Sequence, residues 1–182
     1  PGVPASPGIG ATAADFPAEF QSGVDPLGGH LADDQQPVRQ NTVWALEAVA
    51  SAYPAAVCST IPALSSRLAD THKPVRHGAA ATLCVIAKES PAELSSTVDQ
   101  LCDRFADQSD SVREYASLTL RRIAPAYPDP IFDVIDELQN SLTDTHPPVR
   151  EHLTRLFGSL AADSPNTMSQ FTDSLGTQLS DD

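Results

Sequence analysis

The dipeptide Val-Arg returns four times, at Val38-Arg39, Val75-Arg76, Val112-Arg113 and Val149-Arg150, each 37 residues after the last. Prolines keep the same step at Pro17, Pro54, Pro91, Pro128 and Pro165, and alanines four residues before them at Ala13, Ala50, Ala87, Ala124 and Ala161. A third column runs Leu31, Leu68, Phe105, Leu142 and Leu179, with Asp33, Asp70, Asp107, Asp144 and Asp181 two residues later. A unit of this size cannot bury its apolar face alone, so copies must stack and share one continuous core. The look-alike heptads DTHKPVR (70–76) and DTHPPVR (144–150) are therefore two beats of a four-beat motif, with DDQQPVR and DQSDSVR as the others.

Each unit reads as two helices. The first opens at the column proline, whose missing N–H matches an unpaired position at a helix start. From Pro54 the apolar residues are Val57, Ile61, Leu64 and Leu68, and the next units give Leu94, Val98, Leu101, Phe105 and Ile131, Ile135, Leu138, Leu142. These are the i, i+4, i+7, i+11 positions of one helical stripe. Pro62 falls inside this pattern where other units carry Asp25, Asp99, Asp136 and Asp173, so a kink is expected there. After a turn at the Asp column, a second helix begins near Pro37, Pro74, Ser111 and Pro148. Its stripe, Val75, Ala79, Leu83, Ile86, Ala87 and then Val112, Ala116, Leu120, Ile123, Ala124, is rich in alanine and permits close helix packing.

A proline-led helix, an Asp turn and a second helix opening with Val-Arg on an alanine-rich face resemble the HEAT-repeat family of α-solenoids, in its compact archaeal and bacterial form. The resemblance implies an all-α, α-α superhelix of about five 37-residue hairpins over residues 13–182, some ten helices. Residues 1–12, rich in Pro, Gly and Ala, form a tail before it.

Arginine in the first turn of a helix opposes the positive end of the helix dipole and needs compensation. The Asp column six residues earlier is the natural partner, and the resemblance implies a ladder between neighbouring units: Asp33, Arg39, Asp70, Arg76, Asp107, Arg113, Asp144 and Arg150. Shared columns build the stack, so binding belongs where the units differ. The resemblance puts the second helices on the concave face. Their outward columns vary: Gln40/His77/Glu114/Glu151, Asn41/Gly78/Tyr115/His152, Trp44/Ala81/Leu118/Arg155, Glu47/Cys84/Arg121/Gly158 and Ala48/Val85/Arg122/Ser159. From these, Asn41, Trp44, Glu47, Tyr115, Leu118, Arg121, Arg122, His152 and Arg155 are the candidate partner-binding residues. Aromatic and Arg side chains together are the usual residues of protein-binding hot spots. Two alternatives stand beside this: Trp44 covers a gap in the stack, and the three arginines, with Arg155 near Arg121 or Arg122, pair with Glu114 and Glu151.

The net charge of −13 rests on 17 Asp and 7 Glu against 9 Arg and 2 Lys. It disfavours nucleic acid and anionic membranes as partners. The Asp-rich, Lys-poor balance fits a halophile, where molar salt shortens the Debye length to about 3 Å. Cys58, Cys84 and Cys102 follow no paired spacing and read as reduced thiols of a cytoplasmic protein. No apolar run approaches a membrane span, and PGVPASPGIGATA lacks the basic and apolar regions of a signal peptide. The chain has no initiator methionine, so it is either processed or a piece of a longer protein. At its other end LSDD opens a turn with no Val-Arg helix after it, either a cap or an interruption.

Some HEAT-type proteins are metalloenzymes using paired His-Glu dipeptides. This chain has none, only the reversed Glu151-His152. His77, Glu114 and Glu151 share a column, but units roughly 10 Å apart are too distant for a tight metal site. A basic DNA-binding groove and tetrapyrrole chemistry, known in related folds, find no support in the residues, and no phosphate-binding loop or nucleophile motif is present. The expectation is a non-enzymatic scaffold or adaptor that needs no cofactor and binds a protein or peptide. The competing reading is a HEAT-type enzyme or regulatory accessory subunit.

Overall fold

A computed structural model describes residues 18–163 and residue 165. Among them nine α-helices follow one another: α1 Ala18–Gly29, α2 Gln36–Ala52, α3 Ile61–Arg67, α4 Lys73–Glu89, α5 Val98–Cys102, α6 Asp110–Ile123, α7 Asp129–Asp133, α8 Ile135–Asn140 and α9 Pro147–Asp163. Short 3₁₀ segments at Pro54–Thr60, Pro91–Thr97 and Asp103–Ala106 complete the first helices of the hairpins. The long second helices pack in sequence, α2 on α4, α4 on α6 and α6 on α9, while the first helices form a layer against them. The protein is all-α, a stack of helical hairpins. The tail (1–12) and the column members Ala13, Pro17, Leu179 and Asp181 lie outside the described residues.

The second helices each begin one residue before the expected start, at Gln36, Lys73, Asp110 and Pro147. In α2 and α4 a proline takes one of the first two positions, where no N–H is missed. The interior stripes fill the core: Val75, Ala79, Leu83 and Ile86 are fully buried, as are Val112, Ala116, Leu120 and Ile123. Val57, Leu64, Leu94, Leu101, Ile131 and Leu138 of the first helices close it from the other side. Buried hydroxyls on the second helices are satisfied within their own helix: Thr82 donates to the Gly78 carbonyl at 2.7 Å and Thr119 to the Tyr115 carbonyl at 2.6 Å.

Two details differ from the sequence expectation. The first helices of the three units after α1 are not continuous, and Pro62 is not what interrupts them. They break at the same column, with Thr60 at φ −91°, ψ −3°, Thr97 at −102°, −2° and Val134 at −114°, 15°, while α1 runs unbroken through the equivalent Gly23. All three are β-branched residues with ψ near zero, where helical geometry is left. Pro62 sits in the first turn of the α-helix that follows, a tolerated site, and units with Asp99 or Asp136 in its place break alike. The second detail concerns α4, which is buried on most sides: Gly78, Ala81 and Cys84 belong to the outward columns yet are covered by their neighbours.

Candidate functional site

The Asp–Arg column forms the turn edge of the stack. Each Asp first folds its own turn, its carboxylate accepting a backbone N–H two residues on: Gln35 to Asp33 at 2.8 Å, His72 to Asp70 at 2.9 Å, Ser109 to Asp107 at 2.8 Å and His146 to Asp144 at 2.7 Å. Each Arg then reaches into the next unit. Arg39 Nε lies 2.7 Å from Asp70, Arg76 Nε 2.6 Å from Asp107 and Arg113 Nε 2.7 Å from Asp144. A second bond from Nη2 makes every one of these contacts bidentate. The Nη1 of the same arginines donates to the carbonyl of their own unit's Asp: Asp33, Asp70 and Asp107 at 2.9 Å each. The turn carbonyls and the next unit's carboxylate thereby compensate the guanidinium at the helix start.

Burial pushes the carboxyls of Asp70, Asp107 and Asp144 up. Guanidinium hydrogen bonds, the turn N–H and the Arg charge outweigh it and hold all three below the usual carboxylate range. The ends of the column differ. Arg150 donates to the carbonyls of Asp144 and Thr145 and has no carboxylate partner among the described residues, and the Asp33 carboxylate receives no arginine. The histidines of the two heptads also face the column's neighbours. His146 Nε2 stands 2.9 Å from Glu114 of the preceding unit, and His72 Nδ1 stands 3.3 Å from Arg39.

The outward face of α2, α4, α6 and α9 carries the other candidates. Trp44 is 47 % exposed, and only Tyr127, in the turn after α6, is a comparably open large hydrophobic residue among those described. Asn41 is exposed as well, and Glu47, Tyr115 and Leu118 are half-buried. Gly78 lets this face close up: a Cβ there would stand 2.5 Å from Val43 Cγ2 and 3.6 Å from Trp44 Cδ1. Tyr115 is packed edge-on by His77, ring centroids 5.3 Å apart. Burial pushes the Tyr115 phenol up, and the charge of Glu47 pushes the same way. The second helices hold nine of the eleven Lys and Arg, the exceptions being Arg67 and Arg104. The first helices instead carry Asp25, Glu93, Asp99, Asp103, Asp129, Asp133, Asp136 and Glu137.

The three outward arginines do not form one cluster. Arg122 crosses from α6 to α4, donating to the Cys84 carbonyl and lying 3.1 Å from its sulfur. Arg155 pairs with Glu151 at 2.8 Å, one turn earlier on α9. Arg121 has neither a hydrogen bond nor an ion pair among the described residues. The shared column of His77, Glu114 and Glu151 is not drawn together: His77 bonds Ser111 at 3.0 Å, and Glu114 bonds His146. No three His, Cys, Asp or Glu among the described residues are grouped to hold a metal ion. No helix among them is long and apolar enough to cross a membrane.

Solved structures share this architecture. Computationally designed armadillo repeat proteins for modular peptide recognition match with a TM-score of 0.74 at 20 % identity, covering 84 % of this chain and 70 % of theirs. A designed armadillo repeat protein in complex with the peptide (KR)4 matches with a TM-score of 0.67 at 21 % identity, over 79 % of this chain and 67 % of that one. Two engineered proteins match with TM-scores of 0.70 and 0.74, both at 22 % identity over 78 % and 86 % of this chain, and the chain spans only 63 % and 42 % of their lengths. Identities this low speak for the fold, an armadillo/HEAT-like solenoid. No curated protein matches the chain. The family described as "Sister chromatid cohesion protein PDS5 protein" matches residues 32–180, all four Val-Arg dipeptides included, and the chain belongs to that family.

Proposed function

We propose that this chain is a non-catalytic scaffold that binds a partner protein or peptide on the concave, second-helix face of a solenoid spanning residues 13–182. The observation that carries the reading is Trp44. A large apolar side chain left 47 % exposed stands on the layer where the units differ, and away from the acids of the first helices. Asn41, Glu47, Tyr115 and Leu118 extend the face along the stack. Both the PDS5-family membership and the peptide-bound armadillo design support a binding role, while the partner is left to experiment. The ladder residues have a structural part in this reading and no part in recognition. The three thiols, none in a disulfide, fit the reducing cytoplasm.

The test is capture from a lysate of the source organism, wild type against Trp44→Ala and against Asp133→Asn on the first-helix layer. Trp44→Ala weakens capture of the specific partner by roughly tenfold, with an unchanged melting curve, and Asp133→Asn leaves capture intact. Equal capture by Trp44→Ala, or a loss confined to Asp133→Asn, moves the binding face elsewhere.

The charge distribution extends the proposal to a high-salt setting. The first helices repel one another through their acids, and molar salt screens that repulsion. The melting temperature rises between dilute buffer and molar KCl. A melting temperature that falls or stays level with added KCl removes the halophilic part and leaves the scaffold untouched.

A further inference from the structure

Taken one by one, the arginines leave one that has neither an acid nor a hydrogen-bond acceptor among the described residues. Arg39, Arg76 and Arg113 hold aspartates of the next unit, and Arg155 holds Glu151. Arg67 and Arg104 lie 3.6 and 3.9 Å from acids, and Arg122 and Arg150 donate to backbone carbonyls. Arg121, half-buried on the outward side of α6, does none of these things. Opposite it on α9 stands His152, also half-buried, whose Nδ1 is a buried atom with no hydrogen-bond partner.

We propose that Arg121 and His152 form a subsite on the second-helix face that takes the carboxylate of an Asp or Glu side chain from a polypeptide partner. The proposal rests on the reading of that face as the binding surface, and names the chemistry it recognises. The groups around His152 fix the sign. From α6 come Arg121 and Glu114, and from α9 come Glu151 and Arg155. Glu114 faces His146 at 2.9 Å and Glu151 faces Arg155 at 2.8 Å, so neither carboxylate occupies the Arg121 fork. The Arg121 guanidinium is therefore left without a direct partner among the described residues, and its planar fork matches one carboxylate. A phosphate dianion brings more negative charge than the site can offset beside two glutamates.

A carboxylate held by Arg121 also acts on His152 through its charge. The guanidinium fork accepts it bidentately, and its charge favours the protonated imidazole, in which both ring nitrogens are donors. In the free protein burial lowers the proton affinity of His152, and Arg121 lowers it further. The imidazole is therefore neutral at pH 7 until an anion arrives. Trp44 lies three second helices away, about 30 Å at roughly 10 Å per helix. A partner spanning both places about nine extended residues, at ~3.3 Å each, between its apolar and acidic anchors.

Hexaglutamate, hexaglutamine and inorganic phosphate serve as probes, added to the full chain in molar salt so that the −13 charge does not repel them at long range. The readout is the His152 ring resonance by NMR, identified through His152→Gln. Hexaglutamate moves the resonance saturably and raises the His152 pKa by roughly one unit. Hexaglutamine does not, and Arg121→Gln abolishes the response without changing the melting temperature. Three results overturn the subsite: silence to hexaglutamate, a response that survives Arg121→Gln, or a larger response to phosphate. The two readings fail separately. A silent His152 with partner capture still dependent on Trp44 removes the subsite and keeps the scaffold face. A hexaglutamate response with capture indifferent to Trp44 keeps the subsite and removes that face.

Discussion

Asp107→Ala lowers the unfolding free energy by about 2–4 kcal/mol and the melting temperature by roughly 5–15 °C. The substitution removes a bidentate partner from Arg76 and the acceptor of the Ser109 N–H, in a side chain only 3 % exposed. Arg76 keeps its bond to the Asp70 carbonyl, which holds the loss below that of a wholly stranded charge. Arg150→Ala is the internal comparison. It occupies the same column but has no carboxylate partner among the described residues, and loses less than about 1 kcal/mol. Urea titration of both variants measures the contrast, and equal losses would mean that the Arg–Asp contact between units contributes nothing. The pH dependence follows from the depressed carboxyls. Their stabilisation is fully present above the ordinary carboxylate pKa of about 3.9 and is lost as pH falls through the folded-state value. The gap between wild type and Asp107→Ala therefore narrows in acid and is widest near neutrality.

The two columns of the ladder were legible because both recur, and the resemblance implied their pairing between neighbouring units. A 37-residue step and an Arg six residues after its Asp place the next Asp 31 residues on, and that is the spacing of each observed pair. The stripes were legible for the same reason, since apolar columns report burial whatever the local helix type. That tolerance also hid the break at Thr60, Thr97 and Val134: a 3₁₀ segment running into an α-helix buries nearly the same residues as one continuous helix. Pro62 drew attention because proline has a known effect on helices, but a column of β-branched residues carried the change in the three units after α1. The outward face was least legible. Whether Arg121 or Arg122 is the free cation depends on which of two adjacent side chains reaches Cys84, and no periodicity records that. Gly78 stood in a variable column and looked like one more difference between units. Its meaning lies in Val43, 35 positions earlier, and only the packing of α2 on α4 brings the two together.

Gly78→Leu is accordingly expected to destabilise the protein by about 2–4 kcal/mol, although leucine is the better helix former by close to 1 kcal/mol. Its Cβ alone would stand 2.5 Å from Val43 Cγ2 and 2.9 Å from Val43 Cβ. The second atom is fixed to the α2 backbone, so no rotamer change relieves it and the two helices must part. Val43 is fully buried, which leaves it no room to withdraw. Gly78→Ala separates the two effects: the clash remains, the added bulk does not, and the loss shrinks to about 1 kcal/mol once the propensity gain is counted. Val43→Ala combined with Gly78→Ala recovers part of that loss, because it removes Cγ2, the nearer of the two atoms struck. The consequence reaches the proposed binding face, since Trp44 Cδ1 lies 3.6 Å from the same point. Trp44 is the only tryptophan in the chain, so intrinsic fluorescence reports on it alone. Its emission shifts in Gly78→Leu under conditions where circular dichroism shows the helices intact. A Gly78→Leu protein as stable as wild type, with unmoved Trp44 emission, would mean that α2 and α4 do not approach as closely as Val43 and Gly78 require.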